Sequence, residues 1–189
     1  MRLATTLLTL AALTGAVSRS ADTAWTTLLD GKNLAGWNAI GDANWRAKDG
    51  VIEADMGAGF LISAAPYRDF ELKAEFWVDD AANSGVFLRC ASRAEVTAAN
   101  SYEVNVYDKR PDQKYATGSI VDVAPPSKPM LAGGKWNTFE LTAKGKHLTV
   151  ILNGVKTVDI EDDKHAEGPI ALLRTAGVVR FRKVEIRKL

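Results

Sequence analysis

The chain has 189 residues, a formal net charge of +1 and a pI near 7.8, so no strong field points to nucleic acid or an anionic membrane. One cysteine, Cys90, rules out an intramolecular disulfide. With two histidines beside it, His147 and His165, it leaves little with which to build a soft-metal site.

The N-terminus reads as a leader. Met1-Arg2 is a short basic start, Leu3 to Ala16 carries no charge, and Ala16-Val17-Ser18 or Ser18-Arg19-Ser20 offers a small-residue cleavage site. The apolar run is shorter than the ~20 residues a membrane helix needs. Residues 1–20 are therefore expected to be a signal peptide, and 21–189 one exported domain, periplasmic or secreted, free of the membrane after cleavage.

The rest reads as strands between turns. Asp49-Gly50 marks an early turn. Phe70, Leu72, Ala74, Phe76 and Val78 alternate with Glu71, Lys73, Glu75 and Trp77, the period of a half-buried strand. Asn83-Ser84-Gly85 then leads into Val86-Phe87-Leu88-Arg89. Weak helical periodicity from Ala91 to Ala99 predicts a short helix or loop. In Tyr102 to Asp108, a strand would set Glu103, Asn105 and Tyr107 on one face and Val104 and Val106 on the other. Further turns fall at Pro125-Pro126, Gly133-Gly134 and Gly168-Pro169. Phe139 and Leu141 alternate with polar neighbours. Leu148, Val150 and Leu152 run into Asn153-Gly154, the signature of a type I′ hairpin. The apolar parity of the last strand switches between Phe181 and Val184, which predicts a bulge near Arg182-Lys183. Many short strands without strand–helix alternation predict an all-β sandwich of two antiparallel sheets.

An ordered set of motifs is similar to the 3-keto-disaccharide hydrolase domain family. It begins with Leu29-Asp30-Gly31-Lys32-Asn33-Leu34-Ala35-Gly36-Trp37 and passes through Trp45, Asp49-Gly50-Val51-Ile52 and Tyr67-Arg68-Asp69-Phe70-Glu71-Leu72. Asn83 to Arg89, Tyr102 to Asp108, Thr117-Gly118-Ser119-Ile120, Lys135-Trp136-Asn137, Leu152-Asn153-Gly154, Gly168-Pro169-Ile170 and Phe181-Arg182 complete it. The resemblance implies a concanavalin-A-like jelly roll and a carbohydrate substrate, a 3-ketoglycoside. The chain departs from the family pattern in carrying Leu173, Thr175 and Ala176 where relatives read Gln, His and Gly. It also has Asn105 for Gln and Lys183 for Asn.

A ketone at C3 acidifies the C2 proton, so the chemistry needs a base at C2 and donors for the enolate oxygen. Glu103 is the first candidate for the base, with Arg89 beside it and Asp108 at the end of its strand as the further catalytic candidates, and the resemblance favours a site role for them. Asn83, Asn105, Tyr107, Trp77 and Arg182 are the substrate-binding candidates. Strand parity puts Arg89 on the Phe87 face, where it would meet Glu103; a structural Arg–Glu pair across two strands is the competing reading. Asp108 equally suits a turn cap, and Trp136 suits a core anchor. No motif names a cofactor, and a divalent cation stays open. Oxygen ligands from Asp108 or Glu103 would suit Ca²⁺, though no calcium-loop spacing exists. A non-catalytic carbohydrate-binding module is the alternative function, and an interaction domain of laminin-G type the third.

Overall fold

The computed structural model describes residues 24–189. The leader expected at residues 1–20 lies outside them. Thirteen strands form: β1 (Thr26–Leu29), β2 (Trp37–Gly41), β3 (Arg46–Lys48), β4 (Val51–Ala54), β5 (Gly59–Ser63), β6 (Phe70–Val78), β7 (Asn83–Leu88), β8 (Tyr102–Val106), β9 (Trp136–Lys144), β10 (His147–Leu152), β11 (Val155–Glu161), β12 (Ala171–Ala176) and β13 (Val179–Lys188). The sole helical element among the described residues is a 3₁₀ turn, Gln113–Tyr115.

The strands make two antiparallel sheets. The larger, eight-stranded sheet runs β11-β10-β9-β6-β13-β4-β3, with β1 also paired to β13. The smaller runs β2-β5-β12-β7-β8. Alternation in β6 works as predicted: Phe70, Leu72, Ala74, Phe76 and Val78 point into the sandwich, and the residues between them point out. The bulge in β13 falls between Phe181 and Lys183. It lets one strand serve two neighbours along one edge, because Val179–Phe181 pairs with β4 and Val184–Ile186 with β1. Asn153 and Gly154 hold φ of 49° and 79°, the two left-handed residues a type I′ turn requires, and Leu152 pairs directly with Val155.

The core between the sheets is aromatic at its centre. Phe76 and Phe139 stack at 4.9 Å, and Phe181 lies 6.3 Å from Phe76. Val86, Leu88, Tyr102, Val104 and Leu172 of the smaller sheet close over them. Such fully buried side chains stabilise by ~1.5–3 kcal/mol each relative to exposure, an upper bound for a realistic unfolded chain.

The smaller sheet is also apolar on its outer face. Ile62, Phe87, Ala171 and Leu173 form a second cluster with Cys90 and Val96. Val96 belongs to the β7–β8 connection, which folds across that face as a loop, not a helix. Ser92 Oγ accepts from the Ala94 and Glu95 amides, and Arg93 donates to the Ser63 and Ala64 carbonyls, tying the loop to the end of β5. Local side-chain hydrogen bonds of this kind compete with helix formation. Cys90 lies beneath, its thiol pushed up by burial to about 12 and so unreactive.

Candidate active site

The overhanging loop turns the outer face of the smaller sheet into a cleft of about 560 Å³. Two rows of residues cross the sheet face beneath it, and Ile40, Phe60, Phe87, Leu173 and Glu103 of these rows line the cleft. Strand register aligns Asn38, Ile62, Ala171, Phe87 and Glu103 in one row. The next holds Ile40, Phe60, Leu173, Gly85 and Asn105. Asn83, Thr175 and Arg110 add polar lining, and residues 94–98 form the roof.

Glu103 is the chemically unusual member. It sits on edge strand β8 opposite Phe87. Its carboxylate has no hydrogen bond or ion pair among the described residues, whereas most acidic groups of this chain are paired. Burial drives its pKa up from 4.5 to about 7; Arg110 pulls it back and Asp122 pushes it further up. An unpaired, half-buried carboxyl that titrates near neutrality in a cleft has the properties of a general base. Gly85 leaves room beside it: a Cβ there would lie 3.6 Å from Glu103 Cγ and 3.5 Å from Phe87 Cε2.

Arg89 does not join Glu103, contrary to strand parity. Its φ is +53°, so the strand ends in a left-handed residue and the alternation stops one position early. The side chain turns away from the cleft and is 1% exposed. It donates to the carbonyls of Arg68 (2.7 Å), Gly145 (2.8 Å) and His165 (3.1 Å) and to Asp69 Oδ1 (3.1 Å). Arg89 is a clamp joining three loops at one end of the sandwich. The structural Arg–Glu pair is equally absent, since the partner is Asp69.

Asp108 is a staple rather than a cleft group. It accepts from Thr117 Oγ1 (2.6 Å), the Ala132 amide (2.9 Å) and the Gly133 amide (2.8 Å), which occupies the lone pairs a cation would need. No three His, Cys, Asp or Glu groups converge as metal ligands among the described residues. Asn105 shares the outward face of β8 with Glu103 but is fully buried under the 3₁₀ turn, its Nδ2 donating to the Tyr115 carbonyl at 2.5 Å while Oδ1 has no partner. Tyr107 follows on the same strand path, and its amide donates to Thr117 Oγ1; it does not line the cleft. Asn83 does.

Trp77 and Arg182 lie on the opposite side of the molecule, on the outer face of the larger sheet. Trp77 pairs with Trp136 across β6 and β9 and is covered by the Arg180 guanidinium at 4.6 Å. Arg182 stacks on Trp136 at 4.4 Å and pairs with Glu75. Trp136 is 38% exposed, so it is not a core anchor; Asn137, Phe139, Leu141 and Ala143 take the inward positions of β9.

Sequence reasoning thus found Glu103 and Asn83, and missed Ile40, Phe60, Arg110, Leu173 and Thr175. Leu173 and Thr175 were noted as departures from the family pattern, and both face the cleft. Departures that cluster on one strand face were the available signal. Arg110 had none, because it lies in an irregular turn closed by its amide on the Tyr107 carbonyl.

The fold and the cleft define the class: a two-sheet antiparallel β-sandwich whose candidate site is carried on the outer face of its smaller sheet. Among solved structures the chain is similar to a candidate glycosyl hydrolase from Parabacteroides distasonis, with a TM-score of 0.78 at 19% identity over 87% of this chain and 94% of that one. It is also similar to the carbohydrate-binding module CBM66 from Bacillus subtilis, with a TM-score of 0.66 at 19% identity over 83% and 98%. Residues 24–187 match the model of the 3-keto-alpha-glucoside-1,2-lyase-like domain, and the chain belongs to that family. A curated relative, the 3-keto-disaccharide hydrolase of Bacteroides thetaiotaomicron, is 28% identical over 153 residues, 61% of this chain and 51% of the relative. The chain therefore spans about half the length of that relative.

Proposed function

We propose that the chain is an exported enzyme that cleaves 3-ketoglycosides by elimination and hydration, with Glu103 as the base. The observation that carries this reading is the unpaired Glu103 carboxyl, poised near pH 7 in the cleft. Glu103 takes the C2 proton, and the electron pair of the C2–H bond forms the enolate of the C3 ketone. The enolate then collapses, C1=C2 forms, and the C1–O bond breaks. The leaving oxygen takes a proton, either from Glu103 or from water. Water adds at C1, and C2 is reprotonated, restoring the ketone and giving a free 3-keto sugar.

Among the described residues Arg110 is the one cationic side chain lining the cleft, which makes it the group available to hold the enolate oxygen, the part first given to Arg89. Asn83 and Thr175 supply hydroxyl-binding groups. Ordinary glycoside hydrolysis asks for two carboxylates flanking the bond at ~5–10 Å. In this cleft the second carboxylate among the described residues is Glu95, an exposed residue of the roof, so a single half-buried base fits the keto route better.

The second reading, a carbohydrate-binding module, draws support from the likeness to CBM66 and from Thr175 standing where relatives carry histidine. Incubation with a 3-keto-disaccharide separates the two. The enzyme reading expects release of free sugar, loss of release in Glu103→Gln, and no action on the unoxidised disaccharide. Binding without release by the wild type would leave the module reading standing, and cleavage of the unoxidised sugar would remove the keto mechanism. A chelator arm tests any dependence on a divalent cation.

A further inference from the structure

The cleft has one closed end and one open end. β8 is the last strand of the smaller sheet, but later chain packs along its far side. Ile120 bridges to Val104, the Val121 amide donates to the Glu103 carbonyl, and the Asn105 amide donates to the Ser119 carbonyl. This register sets Val121 across from Glu103 and Ser119 across from Asn105 on the outward face, and Val121, Ser119 and Asn105 are all buried. The Tyr115 carbonyl accepts from Asn105, and the Arg110 guanidinium stands 5.9 Å from the Tyr115 ring. On this side the lining of the cleft stops at Glu103 and Arg110.

The other end is open. The lining runs on over Leu173, Phe60 and Ile40 to Gly41 of β2, the opposite edge of the sheet, where Ala39 and Gly41 are exposed. From β8 to β2 is four strand spacings of ~4.8 Å, about 19 Å. Bonds of ~1.5 Å give a pyranose and its bridging oxygen a repeat of about 5 Å, so the floor has length for the ring at Glu103 and about two more. The lining suits sugar rings along this length. Asn83 and Thr175 stand two residues along from Gly85 and Leu173 on the outward face, so an amide and a hydroxyl flank the apolar floor of Leu173 and Phe60. A pyranose matches that pairing, with a face of C–H groups and an edge of hydroxyls.

We infer that the protein works from a chain end: it takes oligosaccharides oxidised at C3 of their non-reducing terminal ring, with a leaving group of two sugars running over Leu173 and Phe60 and out past Ile40, and it excludes a 3-keto ring that carries another sugar on its C4 oxygen. This rests on the elimination reading for the ring at Glu103 and adds the class of substrate. C1 and C4 lie at opposite poles of a pyranose. With C2 at Glu103 and the C3 oxygen at Arg110, C1 faces the open floor, and C4 faces the closed end built by residues 107–121. The step is the one already balanced: the C1–O bond breaks, and the departing oxygen carries away the shortened oligosaccharide. Contacts made by the third ring are remote from the broken bond, and their binding energy is available to raise kcat/KM.

The test uses 1,4-linked glucose oligosaccharides of two and three rings oxidised at C3 of the terminal ring, and a trisaccharide oxidised at C3 of its middle ring instead. Both anomeric series are assayed, and the one whose disaccharide is cleaved faster decides. The terminally oxidised trisaccharide should exceed the disaccharide at least fivefold in kcat/KM, mainly through KM. The isomer oxidised in its middle ring should fall at least a hundredfold below it. Ile40→Ser should bring the ratio of trisaccharide to disaccharide close to one. A trisaccharide no better than the disaccharide, a ratio unmoved by Ile40→Ser, or a middle-ring isomer cleaved as fast as the terminal one would overturn the inference and leave the elimination reading standing. If no keto substrate is consumed, the elimination reading falls, and calorimetry with the same sugars decides the chain-end inference alone. The terminally oxidised trisaccharide should then still bind at least fivefold more tightly than both the disaccharide and the middle-ring isomer; equal binding, or none, refutes it.

Discussion

Replacing Glu103 by Gln should abolish turnover and make the protein more stable. The folded carboxyl sits at about 7 against an ordinary value of 4.5, because burial disfavours its charge. Each tenfold in proton affinity is worth ~1.4 kcal/mol, so ionising this group inside the fold costs roughly 3 kcal/mol. The sign follows from the raised value. Above pH 7 both folded and unfolded chains carry the charge, and the fold bears the whole cost. As pH falls from 7 to 4.5 the folded chain is protonated first and the cost disappears. Glutamine has nearly the same shape and no charge, so Glu103→Gln should gain about 2–3 kcal/mol at pH 8, the amide's own desolvation taking back part. For a domain of this size that is roughly 4–12 °C in Tm. Urea melts of both proteins at pH 8 and pH 4.5 measure it, and the two curves should converge at the acid end. A variant that is less stable at pH 8, or a difference that does not change with pH, would mean that the carboxylate is well solvated or paired, and the case for a poised base would go with it.

The same group sets the pH dependence of rate. A base must be ionised, so kcat/KM for a 3-keto substrate should rise about tenfold per pH unit below 7 and level off above it, as stopped assays from pH 5 to 9 would show. Arg89→Ala removes the donor from three carbonyls and from Asp69, and should cost at least ~3 kcal/mol in a denaturant melt; a loss under 1 kcal/mol would refute its role as a clamp. Trp77→Ala and Arg182→Ala lie on the outer face of the other sheet and should change kcat/KM by less than twofold, while a tenfold loss would place the site there instead.

The fold was legible where one face of a strand meets the core and the other meets water. β6 declares itself by alternation, β13 by the parity break that lets it serve β4 and β1, and the β10–β11 turn by two residues that tolerate positive φ. The same rule failed for the site in two ways. Arg89 carries the period of its strand in sequence, but a left-handed backbone ends the strand at that residue, and no pattern of residue types announces it. Trp136 looked like a core anchor because tryptophan usually is one, yet its register with Trp77 turns it outward. β12 and β7 are buried on both faces over most of their length, so alternation gave no hint that their outer side is the floor of a cleft.

The cleft as a whole could not be read in the sequence, because it is a property of strand order. Ile40, Phe60, Leu173, Gly85 and Asn105 come from five separate stretches of chain, and only the order β2-β5-β12-β7-β8 lays them in one row. Long-range pairing of this kind carries no local signal. What was legible was the polar face of β8, which sets Glu103 beside Asn105 and opposite Val104 and Val106. A carboxyl placed there is a cost to the fold, and an unpaired one is a larger cost. That is why Glu103 stands out in the sequence and in the structure alike, whereas the arginine that faces it had to wait for the coordinates. Burial on the sheet face opposite Phe87 is what raises the Glu103 pKa. Phe87 is the direct cross-strand neighbour of Glu103, so a polar substitution there, Phe87→Gln, should lower the Glu103 pKa and shift the pH profile of the rate with it.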